Sequence, residues 1–269
     1  MSWLSRYVKR KIAPVAPLGD PAPLVHPGFP LAICWRPKSA CTTVLKWFLF
    51  HTGLLKEATA YSHWPHCYRE QILFESPGYA ELCHKSLFGG DKFVVKFVRD
   101  PARRAVSNFL QVIRRLDESS VLFPDICHWK ESAGLGHQVG LTFHQFMRYV
   151  VDRIQSDHPL DAHFRPQRCP IQDPCVDAFL PIENLADQLR NLERQYGLPP
   201  SPVADLSKSA HHNPPTIGNR WRANASHVVV TPSLLESLGT PSADVFLDEE
   251  SLRLIADAYA EDYAAYGRL

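Results

Sequence analysis

Apolar residues along the chain alternate between short continuous runs and stretches of helical spacing. Leu31–Trp35 (LAICW) is a short apolar run with Pro30 before it and Pro37 after it, as expected of a buried strand. Phe93–Val98 (FVVKFV), behind the turn Gly89-Gly90-Asp91, reads as a second strand, and Val176–Leu180 as a third. Between them the period changes. Val44–Leu55 reads as a strongly apolar helix that Gly53 helps to end. Ala102, Ala105, Val106, Phe109, Leu110, Ile113 and Leu116 recur at helical spacing behind Asp100-Pro101, an N-cap residue followed by a first-turn proline. Thr142 with Gln145 forms a capping box that opens a helix reaching Ile154. Ile182–Tyr196 carries Leu185, Leu189, Leu192 and Tyr196 on one stripe and stops at Gly197. A closing helix runs through Leu252, Ile255, Ala256, Tyr259, Tyr263 and Tyr266.

Strands that alternate with helices predict an α/β fold with a mainly parallel sheet flanked by helices. Ligands of such sheets sit at the carboxyl ends of the strands. Two stretches show no period and read as loops, Asp117–Gly140 and Leu206–Val230. Six prolines between Pro14 and Pro30 suggest an extended lead-in. The expected organisation is a basic and proline-rich extension over residues 1–30, then a single domain over 31–269. Within Met1–Ile12 the apolar residues Trp3, Leu4, Tyr7, Val8 and Ile12 alternate with Arg6, Lys9, Arg10 and Lys11. No apolar h-region follows, so this is not read as a secretory signal, and no run is long enough to span a bilayer. The expected location is cytoplasmic, with weak peripheral membrane contact through residues 1–12 left open.

Charge narrows the picture. Among 269 residues, 29 Lys and Arg against 28 Asp and Glu give a net charge of +1, which excludes a protein that coats polyanions and disfavours a nucleic-acid partner. Any anion site must be local. Seven cysteines without a CxxC pair exclude a disulfide scaffold and a zinc ribbon.

Two strand-to-helix junctions carry candidate chemistry. In the first, Arg36, Lys38, Ser39, Ala40, Cys41, Thr42 and Thr43 lead from a strand into a helix. Free N–H groups at the helix start, three hydroxyls and one lysine together suit a phosphate. GxxxxGK[ST] is absent, which weakens a nucleoside-triphosphatase reading. In the second, Arg99 ends a strand and Ser107 lies two turns into the next helix, on the face of Arg103. A guanidinium fork with a hydroxyl suits a second phosphate.

Together these segments resemble the two cofactor motifs of the sulfotransferase superfamily. Pro37–Thr43 matches the form P-K-x-A-C/G-T/S-T, and Arg99–Ser107 resembles R-[DE]-P-x-x-R-x-x-S, with Arg103 taken as the second arginine, one position before the Arg104 that the spacing gives. A narrower resemblance is to the carbohydrate sulfotransferases of the chondroitin and HNK-1 type. It rests on Asp161-Ala-His-Phe-Arg-Pro-Gln167 with Cys169 and Pro174-Cys175, on Ala178–Leu185 (AFLPIENL), on His211-His212-Asn213 and on Tyr259–Gly267. Without an N-terminal anchor, a soluble bacterial relative is the more natural reading.

The resemblance implies a P-loop-like fold that binds 3′-phosphoadenylyl sulfate (PAPS) as donor and releases 3′,5′-adenosine bisphosphate, with no metal. It implies sulfuryl transfer to a hydroxyl of a glycan or glycolipid. Arg36, Lys38, Ser39, Ala40, Cys41, Thr42, Thr43, Arg99 and Ser107 would bind the donor, and Lys38 would stabilise the leaving group. His66 is the expected general base, with His63 and nearby glutamates as rivals, and His163 and Arg165 are expected at the acceptor. Trp64, Trp129 and Trp221 are candidates for stacking on sugar rings. Cys169 and Cys175 would pair only in an oxidising compartment. Two readings compete: a nucleotide-dependent phosphotransferase of similar fold, and a non-enzymatic zinc- or nucleotide-binding protein using His63, His66, Cys67, Cys83 and His84.

Overall fold

The structure is a computed structural model. It describes residues 18–115, 124–135, 140–208 and 221–267. The amphipathic stretch 1–12, much of the 117–140 segment and His211-His212-Asn213 lie outside the described residues. The chain forms two compact units: one takes residues 1–99 and 167–210, the other 100–166 and 211–268.

The first unit holds the sheet. Strands β1 (Leu31–Cys34), β2 (Phe93–Val98) and β3 (Ala178–Pro181) lie in the order β1-β2-β3, all parallel. Leu31 pairs with Phe93 and Val95 with Ala178. Both faces of β1 are buried, which is why its sequence is apolar throughout rather than alternating. Between β1 and β2 this unit has helices α1 (Cys41–His51), α2 (Leu55–Tyr61), the single turn α3 (Pro65–Tyr68) running into a π-helical turn at Arg69–Leu73, and α4 (Tyr79–Phe88). Helix α1 starts three residues before the apolar run suggests, because the N-terminal turn is built from the hydroxyl-bearing Thr42 and Thr43. Residues from Leu18 onward are packed rather than extended: Leu24, Val25 and Phe29 join the core, and Leu24 exchanges two backbone hydrogen bonds with Ile33. The proline-rich lead-in therefore enters this unit well before residue 31.

Lys96 interrupts the apolar run of β2 and is fully buried. Its Nζ donates to the Gln167 carbonyl at 2.7 Å and pairs with the Asp173 carboxylate. Burial lowers its pKa, and the Asp173 charge opposes that shift.

The second unit is helical among its described residues: α5 (Pro101–Arg115), α6 (Pro124–Ser132), α7 (Phe143–Gln155), then, after α8 (Leu185–Gln195) and α9 (Val203–Leu206) of the first unit, α10 (Pro232–Leu238), α11 (Glu249–Ala258) and α12 (Ala260–Tyr266). Its core centres on Phe109, Phe143, Phe146 and Phe246, with Phe109 within 5.3–5.7 Å of the other three rings. Helix α6 corrects the expectation of a loop throughout 117–140; it buries Ile126 but carries too few apolar residues to show a period. The single closing helix is two, broken at the buried Tyr259, whose hydroxyl donates to the Phe164 carbonyl at 2.9 Å. No helix among the described residues is long and apolar enough to cross a membrane.

The capping box is present. Gln145 N–H donates to Thr142 Oγ1 at 3.1 Å, and Thr142 N–H donates to Gln145 Oε1 at 2.9 Å. Thr142→Ala should therefore destabilise the protein by about 1 kcal/mol in chemical denaturation. A midpoint identical to wild type would show that the cap contributes nothing.

Candidate active site

Because β1 and β2 are parallel neighbours, their carboxyl ends lie side by side, and each is followed by one of the two junctions. After β1 the backbone turns sharply. Lys38 has φ 69° and Ala40 φ 56°, both left-handed, with Ser39 between them. Left-handed residues in such a turn direct successive N–H groups to one side. Helix α1 then begins with no side-chain cap. Its first N–H groups are thus not consumed by a neighbouring side chain, and the helix dipole favours an anion there. Lys38 is half-buried on this turn.

The turn is tied down by one residue of the 161–167 segment. Gln167 is fully buried. Its Oε1 accepts from Ser39 Oγ at 2.8 Å and from the Arg99 N–H at 2.9 Å, and its Nε2 donates to the Arg99 carbonyl at 2.8 Å. Its own carbonyl accepts from Arg36 Nε at 3.3 Å and from Lys96 Nζ. Arg99 closes the circuit by donating from its guanidinium to the Lys38 carbonyl at 3.1 Å. In the sequence, Gln167 stands out only as part of the segment Asp161–Gln167. A lone buried glutamine gives no signal until its partners are known.

The residues expected at the donor site divide in two. Lys38, Ala40, Cys41, Thr42 and Thr43 lie on the turn and the first turn of α1. Arg36 is buried and donates to the carbonyls of Gln167 and Arg168, so it braces the turn from behind. Ser39 likewise spends its hydroxyl on Gln167. Arg99 ends the first unit. Ser107 belongs to α5 in the second and is half-buried there. The arginine that α5 buries is Arg104, not Arg103. Arg104 donates to the His163 carbonyl at 3.0 Å and lies 5.8 Å from the Tyr259 ring centroid, whereas Arg103 is exposed.

His66 lies beside the turn. Its Nε2 is 3.0 Å from Thr42 Oγ1 and its Nδ1 is 2.5 Å from an Arg69 nitrogen. A guanidinium can only donate, so Nδ1 accepts. The neutral ring then carries its proton on Nε2 and donates to Thr42 Oγ1. Arg69 is held in turn by Glu70 at 2.6 Å and by the Trp35 ring, whose centroid is 4.4 Å away. His63 is exposed. His163 and Arg165 bond within their own loop, His163 to Asp161 at 2.7 Å and Arg165 Nε to the Leu160 carbonyl at 2.8 Å. Trp221 is buried and donates to the Gly239 carbonyl, and Trp129 packs on Tyr149, so both belong to the helical core. Cys169 and Cys175 are free thiols.

The family model described as "Sulfotransferase family" matches residues 24–267. The chain belongs to the sulfotransferase family. Searches of curated proteins and of solved structures return no match. The match spans both junctions and begins within the packed lead-in.

Replacing Gln167 by Met keeps the volume but leaves Ser39 Oγ and the Arg99 peptide without their partner. Unsatisfied buried groups cost about 1–3 kcal/mol each. Gln167→Met should lower stability by about 3 kcal/mol in urea denaturation. A loss under about 0.5 kcal/mol would mean that the two loops hold without it.

Proposed function

We propose that the protein transfers a sulfuryl group from PAPS to a hydroxyl of a carbohydrate, in a glycan or a glycolipid. The observation that carries this reading is the left-handed turn at Lys38 and Ala40 leading into an uncapped helix, on a chain of the sulfotransferase family. That turn fits the phosphosulfate end of the donor: its N–H groups and the Thr42 and Thr43 hydroxyls offer donors, and Lys38 offers a mobile charge. Bound PAPS supplies the activated sulfuryl group. Lys38 neutralises charge that develops on the leaving phosphate, an interaction that grows toward the transition state. On the motif resemblance, Arg99 and Ser107 are assigned to the 3′-phosphate. Neither phosphotransferase nor zinc-finger chemistry is favoured by the donor turn.

The proton acceptor is assigned to His66, with His63 as the rival. His66 Nε2 can accept only if the ring proton moves to Nδ1, which requires Arg69 to withdraw. Glu70 already holds the other side of that guanidinium and gives it somewhere to go. The near-neutral charge favours a neutral or modestly charged acceptor over a long polyanion.

Transfer of labelled sulfate from PAPS onto a panel of glycans and glycolipids tests the reading as a whole; incorporation into none of them, with protein that binds 3′,5′-adenosine bisphosphate, would remove the carbohydrate acceptor. Lys38→Ala should lower kcat roughly 100-fold or more. Ser107→Ala should weaken binding of 3′,5′-adenosine bisphosphate roughly tenfold and leave adenosine 5′-phosphosulfate unaffected. Equal losses for both nucleotides would place Ser107 elsewhere.

For His66 the informative pair is His66→Ala and His66→Gln. A glutamine amide still donates toward Thr42 but cannot take up a proton at neutral pH. A base role predicts that both variants lose turnover. Turnover retained by His66→Gln alone would reduce His66 to positioning Thr42 and pass the base role to His63.

A further inference from the structure

The helical unit holds a side-chain cluster that the transfer chemistry does not use. His144 is the second residue of α7, His227 ends a 3-10 turn at Ala225–His227, and Asp248 caps α11. His144 Nε2 lies 2.9 Å from Asp248 Oδ1, and His227 Nε2 lies 3.6 Å from Asp248 Oδ2. The two imidazole rings meet edge to face with centroids 4.3 Å apart. One ligand atom from each residue can be chosen so that all three fall within 4.8 Å of one another. Ligands about 2.0–2.2 Å from a tetrahedral ion stand roughly 3.3 Å apart, so small side-chain rotations close the gap.

A simple helix cap explains part of this. Asp248 accepts from the Ser251 N–H at 2.8 Å and from the Ser226 hydroxyl. A cap does not call for a second imidazole directed at the same carboxylate. Nor does it explain Glu250, whose Oε2 lies 3.6 Å from His144 Nδ1 and whose Oε1 is fixed by Arg148 at 2.5 Å. A carboxylate behind the far nitrogen of a histidine is the arrangement that orients a metal-ligating ring. His144 is buried while His227 is exposed, which gives an ion a route in.

We propose that His144, His227 and Asp248 form a binding site for a divalent first-row ion, Zn2+, with a fourth position left to water and Glu250 orienting His144. Two imidazoles and one carboxylate suit Zn2+ better than Mg2+ or Ca2+, which prefer all-oxygen sites. The ion ties together the starts of α7 and α11 and the turn at residues 225–227. The sequence reading expects no metal, and this proposal departs from it.

The test uses the full untagged chain, stripped with chelator. Zn2+ titration by calorimetry should show a site that His227→Ala removes; His227 is exposed, so this variant folds. Glu250→Gln should weaken that site about 10- to 100-fold. Co2+ should give visible d–d bands without the near-ultraviolet charge-transfer band of a thiolate. Zn2+ should raise Tm in wild type and not in His227→Ala. Equal Zn2+ affinity in wild type and His227→Ala, a thiolate band, or full competition by Mg2+ would each overturn the proposal. None of these readouts depends on sulfuryl transfer, so the site and the proposed function fail separately.

Discussion

The parallel pairing of β1 with β2 is the constraint from which the candidate site follows. It sets the ends of two strands distant in sequence next to each other, and both ends then emit polar backbone into a buried environment. Backbone polar groups in such a place must find partners. Gln167 supplies them with a single carboxamide, which can accept and donate at once. Its two functional atoms serve Ser39 and both sides of the Arg99 peptide, and its own carbonyl serves Arg36 and Lys96. The sheet brings the loops close, and the carboxamide fixes their separation.

The strain in the first loop belongs to the same arrangement. Lys38 and Ala40 adopt left-handed φ values without being glycine, which costs about 1–2 kcal/mol for each residue. Such a conformation persists only where the surroundings over-determine it. Here Arg99 holds the Lys38 carbonyl and Gln167 holds the intervening Ser39. These side-chain contacts from within the chain hold the left-handed turn in place.

Much of this was legible in the sequence. β2 was read to the residue, and the capping box at Thr142 and Gln145 was recovered with both its bonds, because each depends on local chemistry alone. The strand-to-helix junctions at residues 35–43 and 98–101 are legible because a strand that gives way to small, hydroxyl, basic and proline residues marks a break in period. What escaped depends on partners far along the chain. Helix α6 has a buried Ile126 but no repeating stripe. The closing helix breaks at Tyr259 because its hydroxyl reaches Phe164, a tertiary contact that overrides good helical spacing. Of the adjacent Arg103 and Arg104, α5 buries Arg104, the one that the spacing from Arg99 selects, and exposes the other. The hydrogen-bonded state of His66 follows from Arg69 three residues on, and only the folded turn brings that guanidinium to the imidazole.

Lys96 links the fold to the order in which the chain is made. Its ammonium group lies in the middle strand, and an unpaired charge there would cost several kcal/mol. Its partners, the Gln167 carbonyl and the Asp173 carboxylate, are synthesised later, after a long helical insertion. At roughly 5–20 residues per second, a ribosome needs roughly 4–15 s to reach them after Lys96. Through that interval the middle strand carries a charge it cannot bury. Without Lys96 this strand would be a continuous apolar run, and an inward-pointing charge is one of the devices that disfavour pairing with the wrong edge.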